Sequence, residues 1–136
     1  MKEQVVAFFE GYAETFRHYQ VEHLAEYYHI PCMMMSSHHK QAITQPEQLN
    51  QYISTLFSKY REIALAELIP DVDQYFCLSE KVFFVTVKWR FQGADEQELF
   101  SCQSSYTLQD NGDDLRIVAA VVDDEELEYE KMISVA

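Results

Sequence analysis

The sequence predicts an α+β fold in which a curved, mostly antiparallel sheet encloses three N-terminal helices. Through the first 61 residues, apolar side chains recur every three or four positions, which is the spacing of amphipathic helices. From about residue 68 onward they alternate with polar side chains, which is the pattern of half-buried strands. One short strand is expected between the second helix and the third.

The first two helices follow from the positions of the apolar residues. The first is predicted over residues 3–19, with an apolar stripe of Val5, Phe8, Phe9, Tyr12, Phe16 and Tyr19. Gly11 in its middle costs about 1 kcal/mol relative to alanine, which indicates a close contact with a neighbouring element. The second helix is short and presents Val21, Leu24, Ala25 and Tyr28 on one face. Pro31 is expected to end it, and residues 32–36 then form a strand.

The third helix has the clearest N-terminal signal in the sequence. Thr44 and Glu47 have the spacing of a capping box, and Pro46 suits the first turn. The helix is predicted to continue to about Arg61, with an apolar face of Leu49, Tyr52, Ile53, Leu56, Phe57 and Tyr60.

Four longer strands complete the predicted sheet, over about residues 68–78, 80–92, 98–109 and 115–122. On the middle two, one face is expected to point inward and carries Phe83, Val85, Val87, Trp89, Phe91, Phe100, Cys102, Ser104, Tyr106 and Leu108. Their outward face is polar. It is the expected homodimer contact and comprises Lys88, Arg90, Ser101, Gln103, Ser105 and Thr107.

The length of 136 residues favours one domain over residues 1–136, with a core over about residues 3–124. Residues 125–136 are predicted to be an acidic tail. Six acids lie between Asp123 and Glu130, and a solvated tail or short terminal helix is favoured over a site for a cation or basic partner.

The charge balance excludes two classes of partner. The chain has 23 acidic and 10 basic residues, a formal charge of -13, which repels nucleic acid and anionic membrane surfaces.

The three cysteines form no C-x-x-C pair, so no disulfide framework is expected. No signal segment is recognised, and the longest apolar run is too short to span a bilayer. We therefore expect a cytoplasmic protein.

Several of these features together resemble the nuclear transport factor 2-like superfamily. The residues that carry the resemblance are Phe8, Tyr12 and Phe16, the segment LAEYYHIPCMMM at 24–35, the capped helix from Thr44 and the strand that ends Val87-Lys88-Trp89. This superfamily shares its cone-shaped, cystatin-like fold with ketosteroid isomerase, limonene epoxide hydrolase and the SnoaL-like polyketide cyclases. The resemblance covers about residues 3–124 and implies a pocket and often a dimer, but not a reaction.

The resemblance also shows which enzymatic residues are missing. The two acids of the isomerase branch align with Met35 and Ser104, and neither side chain can replace a carboxyl group. The strand at 83–91 offers no carboxylate for epoxide hydrolysis. Asp71 and Asp73 share a strand face, but a solvated sheet edge is favoured over acid–base work.

Histidine and cysteine give only weak signals. The five histidines are His18, His23, His29, His38 and His39. His18 and His23 lie roughly 140° apart on a helix, so no metal site is expected, and no cofactor is implied. His29 is a candidate acid, base or ligand anchor, and the alternative is a helix C-cap. Cys102 is expected to be a buried, inert thiol rather than a nucleophile.

The predicted ligand pocket combines aromatic and polar side chains inside the cone: Tyr12, Phe16, Tyr28, Tyr52, Trp89, Ser104 and Tyr106. Such a lining favours a small hydrophobic or aromatic ligand, unless these residues simply fill the core. Three functions remain open. They are a homodimeric ligand-binding domain, a cyclase- or isomerase-like enzyme that uses His29 or a tyrosine, and a protein-interaction module.

Overall fold

Helices and strands occur in the computed structural model in nearly the predicted order, and the structure describes residues 2–134. The helices of this range are α1 (Lys2–Glu14), α2 (Val21–Ala25), α3 (Pro46–Glu62) and α4 (Asp123–Ser134). Short 3-10 helices span Thr15–Arg17 and Ala94–Glu96. The strands are β1 (Tyr28–Met35), β2 (Lys40–Ile43), β3 (Glu67–Cys77), β4 (Val82–Gln92), β5 (Glu98–Asp110) and β6 (Leu115–Val121). No helix among these residues is long and apolar enough to cross a bilayer.

The six strands form one mixed sheet in the order β2-β1-β6-β5-β4-β3. All neighbouring pairs are antiparallel except β1 and β6, which are parallel. The long β4–β5 ladder places Trp89 opposite Cys102 and Val85 opposite Tyr106, and these four side chains are buried. The strands of this ladder alternate between the two faces of the sheet as predicted.

Helix α1 packs its aromatic stripe against the inner face of the sheet. The Phe9 ring centroid lies 4.9 Å from that of Tyr106, and the Tyr12 centroid lies 5.5 Å from that of Trp89. This confirms that Trp89 and Tyr106 face Tyr12 from the sheet. A Cβ atom at Gly11 would overlap the hydroxyl of Tyr27, so the predicted close contact at this glycine is also confirmed.

The second helix and the strand after it differ from the prediction. Helix α2 ends at Ala25, and β1 already begins at Tyr28. Pro31 therefore lies inside a strand, after a cis peptide bond with Ile30. The missing donor of Pro31 is tolerated because the β1–β6 register shifts between Tyr28 and Met33, where the ladder is interrupted.

Helix α3 begins one residue later than the predicted capping box implies. The side-chain oxygen of Gln48, rather than a Thr44–Glu47 pair, accepts hydrogen bonds from the backbone N–H groups of Thr44 (2.8 Å) and Gln45 (3.1 Å). Pro46 occupies the first turn as expected. A glutamine therefore does the capping, which the preference for Ser or Thr followed by Glu did not predict.

Candidate functional site

The acidic C-terminal segment, expected to be a solvated tail or a short terminal helix, forms helix α4, and the first turn of this helix is hydrogen-bonded to two distant elements. Asp123 accepts hydrogen bonds from the backbone N–H of Ser37 (2.8 Å) and from its hydroxyl. Asp124 accepts a hydrogen bond from the backbone N–H of Gln103 (2.7 Å). Gln103 lies on β5 just outside the β5–β6 ladder, which at this end pairs Ser105 with Val121. Acids also suit this position because helix N-termini carry partial positive charge. Residues 135–136 of the predicted tail lie outside the described residues.

Glu125, the third acid of this turn, points between α3 and β5. Its carboxylate accepts hydrogen bonds from the hydroxyl of Tyr60 and from that of Ser104 (3.3 Å). Burial raises the pKa of Glu125 above its ordinary value, although both hydrogen bonds and the positive charge of Lys59 act in the opposite direction. The sheet and two helices thus hold one carboxylate in a largely desolvated position.

A cavity of about 230 Å³ opens beside this carboxylate, between α3 and α4. The residues that line it are Gln41, Gln51, Tyr52, Thr55, Leu56, Lys59, Tyr60, Val122, Glu125 and Glu126. Glu126 also contacts His39, with 3.4 Å between carboxylate oxygen and Nε2. The ammonium of Lys59 lies over the ring of Tyr129, 4.6 Å from its centroid. The lining therefore combines an apolar surface with a few charged groups.

The residues of the predicted pocket meet in the interior of the cone, but they are closely packed there. Tyr12, Phe16, Tyr28, Trp89, Ser104 and Tyr106 are each 1–5% exposed. The hydroxyls of Tyr12 and Tyr28 lie 3.1 Å apart, and Trp89 Nε1 donates to the hydroxyl of Tyr106 at 3.0 Å. Tyr52, the seventh residue of the set, is half-buried and lines the cavity. Ser104 joins the two regions through its hydrogen bond to Glu125.

The residues considered for acid–base chemistry take different positions. His29 is exposed on β1 and is not among the residues that line the cavity, and the C-cap of α2 is Glu26 rather than His29. Met35 lies at the end of β1, opposite Val121. Burial raises the pKa of the Tyr52 and Tyr60 phenols well above the ordinary value, so both are hydrogen-bond donors at neutral pH rather than bases.

Glu125 is the residue that sequence reasoning missed. It supplies a carboxylate next to Ser104, one of the two positions where the isomerase alignment found none. The available signal was an acidic first turn followed by Tyr129 and Met132, both of which pack on the core. A solvated tail would not need two apolar side chains three residues apart, which is the spacing of one helix face.

The remaining candidate groups are accounted for by local structure. Cys102 is buried, and burial raises the pKa of its thiol, as expected for an inert cysteine. Asp71 and Asp73 are exposed on the edge strand β3, where Asp73 pairs with Lys88 at 3.6 Å. Within residues 2–134, no three His, Cys, Asp or Glu side chains are grouped to hold a metal ion.

Comparisons with known proteins agree on the fold. A family model described as NTF2-like protein (DUF6841) matches residues 2–125. No curated protein sequence matches the chain. An NTF-2 like protein of unknown function from Shewanella oneidensis superimposes with a TM-score of 0.69 at 12% identity, over 88% of this chain and 96% of that one.

Two further solved structures carry functional names. A ketosteroid isomerase-like protein from Erwinia carotovora atroseptica is similar with a TM-score of 0.63 and 12% identity, over 88% of this chain and 94% of that one. A putative calcium/calmodulin dependent protein kinase II association domain from Xanthomonas campestris has a TM-score of 0.66 and 9% identity, over 89% and 85% of the two chains. At such identities the likeness shows the fold alone.

Proposed function

The chain belongs to the NTF2-like family DUF6841, and on that premise we propose that it binds a small organic molecule in the cavity between α3 and α4. The observation that carries the proposal is the desolvated carboxylate of Glu125 beside open space, held by Tyr60 and Ser104. The apolar part of the ligand lies against Leu56 and Val122, and its polar group meets Glu125. An apolar surface combined with polar groups that orient the ligand is typical of ligand sites, and the lining of this cavity contains both, with more polar than apolar residues.

The size of the cavity limits the ligand. At about 230 Å³ it is smaller than the pockets of roughly 300 to 1,000 Å³ that hold drug-sized molecules. A molecule built on a single ring or a short chain fits this space. The closely packed aromatic interior serves as the rigid wall behind Tyr60 rather than as the binding space itself.

The proposal is tested by ligand-observed NMR, which measures the binding of benzyl alcohol, phenol and 2-phenylethanol. Wild-type protein is compared with a variant in which a larger side chain fills the cavity. Wild-type protein is expected to bind at least one of these probes. Leu56→Trp places an indole in the cavity and is expected to abolish binding, because Leu56 lines it. Leu127→Trp is the matched control, since Leu127 is 53% exposed on α4 and does not line the cavity. Binding by none of the probes, or equal binding by Leu56→Trp, contradicts the proposal.

A homodimer through the outer face of the sheet is proposed as the form that carries this site. Phe76 and Phe84 are paired across β3 and β4, with ring centroids 6.4 Å apart, and Phe76 is 51% exposed. Thr86 lies on the same face of β4 as Phe84, and its buried hydroxyl has no hydrogen-bond partner among residues 2–134. An apolar patch beside polar side chains also fits the interaction-module alternative, with a second copy of the chain as the partner.

Light scattering coupled to size-exclusion chromatography tests the dimer. Wild-type protein is expected to elute as a dimer and Phe76→Lys to shift toward the monomer. Leu127→Lys also introduces a lysine in place of an apolar residue, at a similarly exposed position on α4, and should leave the measured molar mass unchanged. A wild-type monomer would exclude this assembly.

A cytoplasmic location is proposed on the basis of the cysteines. Cys32, Cys77 and Cys102 are free thiols, and Cys77 is exposed. Exposed free thiols persist in reducing compartments, whereas oxidising compartments favour disulfides. Labelling of Cys77 by a thiol reagent in freshly lysed cells is the expected result, and protection of Cys77 by oxidation would contradict it.

A further inference from the structure

The charges around the cavity narrow the chemistry of its ligand. The two carboxylates that line it are those of Glu125 and Glu126. Both hydrogen-bond donors to the Glu125 carboxylate among the described residues, Tyr60 and Ser104, are neutral hydroxyls. Neutral donors stabilise an ionised carboxylate less than a cation does, and a desolvated charge needs such compensation. The carboxylate that faces the cavity is therefore poorly compensated by its own surroundings.

Lys59, the lysine found among the described lining residues, has its ammonium 4.6 Å from the Tyr129 ring centroid. It is not within ion-pair distance of Glu125, although its positive charge lowers the pKa of that carboxylate. Glu126 has His39 at 3.4 Å. None of the described residues therefore places a cation in direct contact with the carboxylate of Glu125.

We propose that the ligand is an organic primary amine, bound as its ammonium ion, with a short apolar body. The ammonium donates to the carboxylate of Glu125, and the half-buried Tyr52 also lines the cavity. The apolar body packs on Leu56 and Val122. An anionic ligand is disfavoured because two carboxylates would repel it. The inference rests on the ligand-binding function proposed above and names its ligand class.

The experiment compares two probes of nearly equal shape, 2-phenylethylamine and 2-phenylethanol, by NMR titration. Wild-type protein is expected to bind the amine about tenfold more tightly than the alcohol. In Glu125→Gln the ratio of the two dissociation constants should fall to about one. Glu130→Gln removes one charge from an exposed position on the same helix and should keep the wild-type ratio, which separates a local ion pair from the overall negative charge.

A second variant covers the case in which Glu125→Gln does not fold. Lys59→Met removes the cation that lines the cavity and retains an apolar contact for the Tyr129 ring, so the preference for the amine should increase. Lys131→Met, at an exposed position on α4, is its charge-matched control and should leave the preference unchanged.

The outcomes separate the two proposals. If the alcohol binds wild-type protein as tightly as the amine, the amine inference is overturned and the ligand-binding function stands. An amine preference that persists in Glu125→Gln, or that does not increase in Lys59→Met, also overturns it. If neither probe binds, both proposals fall.

Discussion

The aromatic interior and the cavity between α3 and α4, which we call the mouth of the cone, both contain tyrosines but differ in how their polar atoms are satisfied. In the interior, polar groups pair with one another: Tyr12 with Tyr28, and Trp89 with Tyr106. At the mouth, Tyr60 pairs with the carboxylate of Glu125, next to open space. In the interior, the paired side chains use their hydrogen-bonding groups on each other. Carboxylate oxygens accept several hydrogen bonds, so the carboxylate bound by Tyr60 can still accept one from a ligand.

The same difference predicts where the protein tolerates change. The interior rings are buried and pack against one another, so a truncated side chain leaves a cavity in a packed environment. The mouth is bordered by solvent and by α4, whose first turn is held by hydrogen bonds to Ser37 and Gln103. Stability should therefore depend mainly on the interior, and ligand binding on the mouth.

The largest expected effect comes from truncating the central ring. Trp89→Ala should lower the free energy of unfolding by about 3 to 5 kcal/mol, because Trp89 is 1% exposed and packed against Tyr12 and Phe9. Urea denaturation measures it. Leu127→Ala, at a 53% exposed position on α4, should cost about 0.5 kcal/mol. Similar losses in the two variants would show that the interior is not packed as described.

A smaller effect is expected from deleting one hydroxyl in the interior. Tyr106→Phe leaves the Trp89 indole N–H without its acceptor and should cost about 1 to 3 kcal/mol in urea denaturation. Tyr52→Phe makes the same change on the wall of the cavity and should cost about 0.5 kcal/mol, since water reaches that region. A larger loss of stability in Tyr52→Phe than in Tyr106→Phe would contradict the proposed difference between the interior and the cavity wall.

The anchoring of α4 gives a third test. Asp124→Ala removes the acceptor of the Gln103 amide and should cost about 1 kcal/mol. Hydrogen exchange should accelerate at Gln103 and in the first turn of α4, while exchange in α1 stays unchanged. Asp113→Ala, in the exposed turn before β6, is the control and should leave exchange at Gln103 unaltered. Unchanged exchange in Asp124→Ala would mean that this hydrogen bond does not hold α4.

The smallest effect is the pH dependence contributed by Glu125. Because burial raises its folded-state pKa, its contribution to stability is fully present below the ordinary value of 4.5 and is lost as the pH rises through the folded value. Glu125→Gln cannot ionise, so its stability relative to wild type should increase as the pH is raised from 4.5 toward neutrality. Urea denaturation across that range measures the difference.

The control for this measurement is Glu130→Gln, whose stability relative to wild type should stay nearly constant over the same range. Glu130 is exposed on α4, where solvent screens its charge. If the difference between Glu125→Gln and wild type instead shrinks as the pH rises, the carboxylate of Glu125 is stabilised rather than penalised in the folded protein.

Sequence patterns were sufficient for the faces of the long elements, although not for the end of α2 or the cap of α3. Alternation predicted the inward face of β4 and β5, and helical spacing predicted the stripe that brings Tyr12 to Trp89. Both patterns have short periods, two residues for a strand and 3.6 for a helix, so they can be counted in one sequence. Family membership followed from the order of these elements.

The first turn of α4 shows what those patterns could not supply. The hydrogen-bond partners of Asp123, Asp124 and Glu125 are 86, 21 and 65 residues away in the chain, at Ser37, Gln103 and Tyr60. In the sequence the same acids look like a solvated, charged segment. Only folding brings the three partners to one end of the cone.

The sequence by itself therefore determined the class of fold, the order of its main elements other than β2 and α4, and the aromatic character of its interior. The tertiary structure decided that this interior is buried and that a cavity opens beside Glu125. The physical reason is that burial along an element follows a local period, whereas a cavity and the desolvation of a carboxylate depend on how α3, α4 and β5 meet.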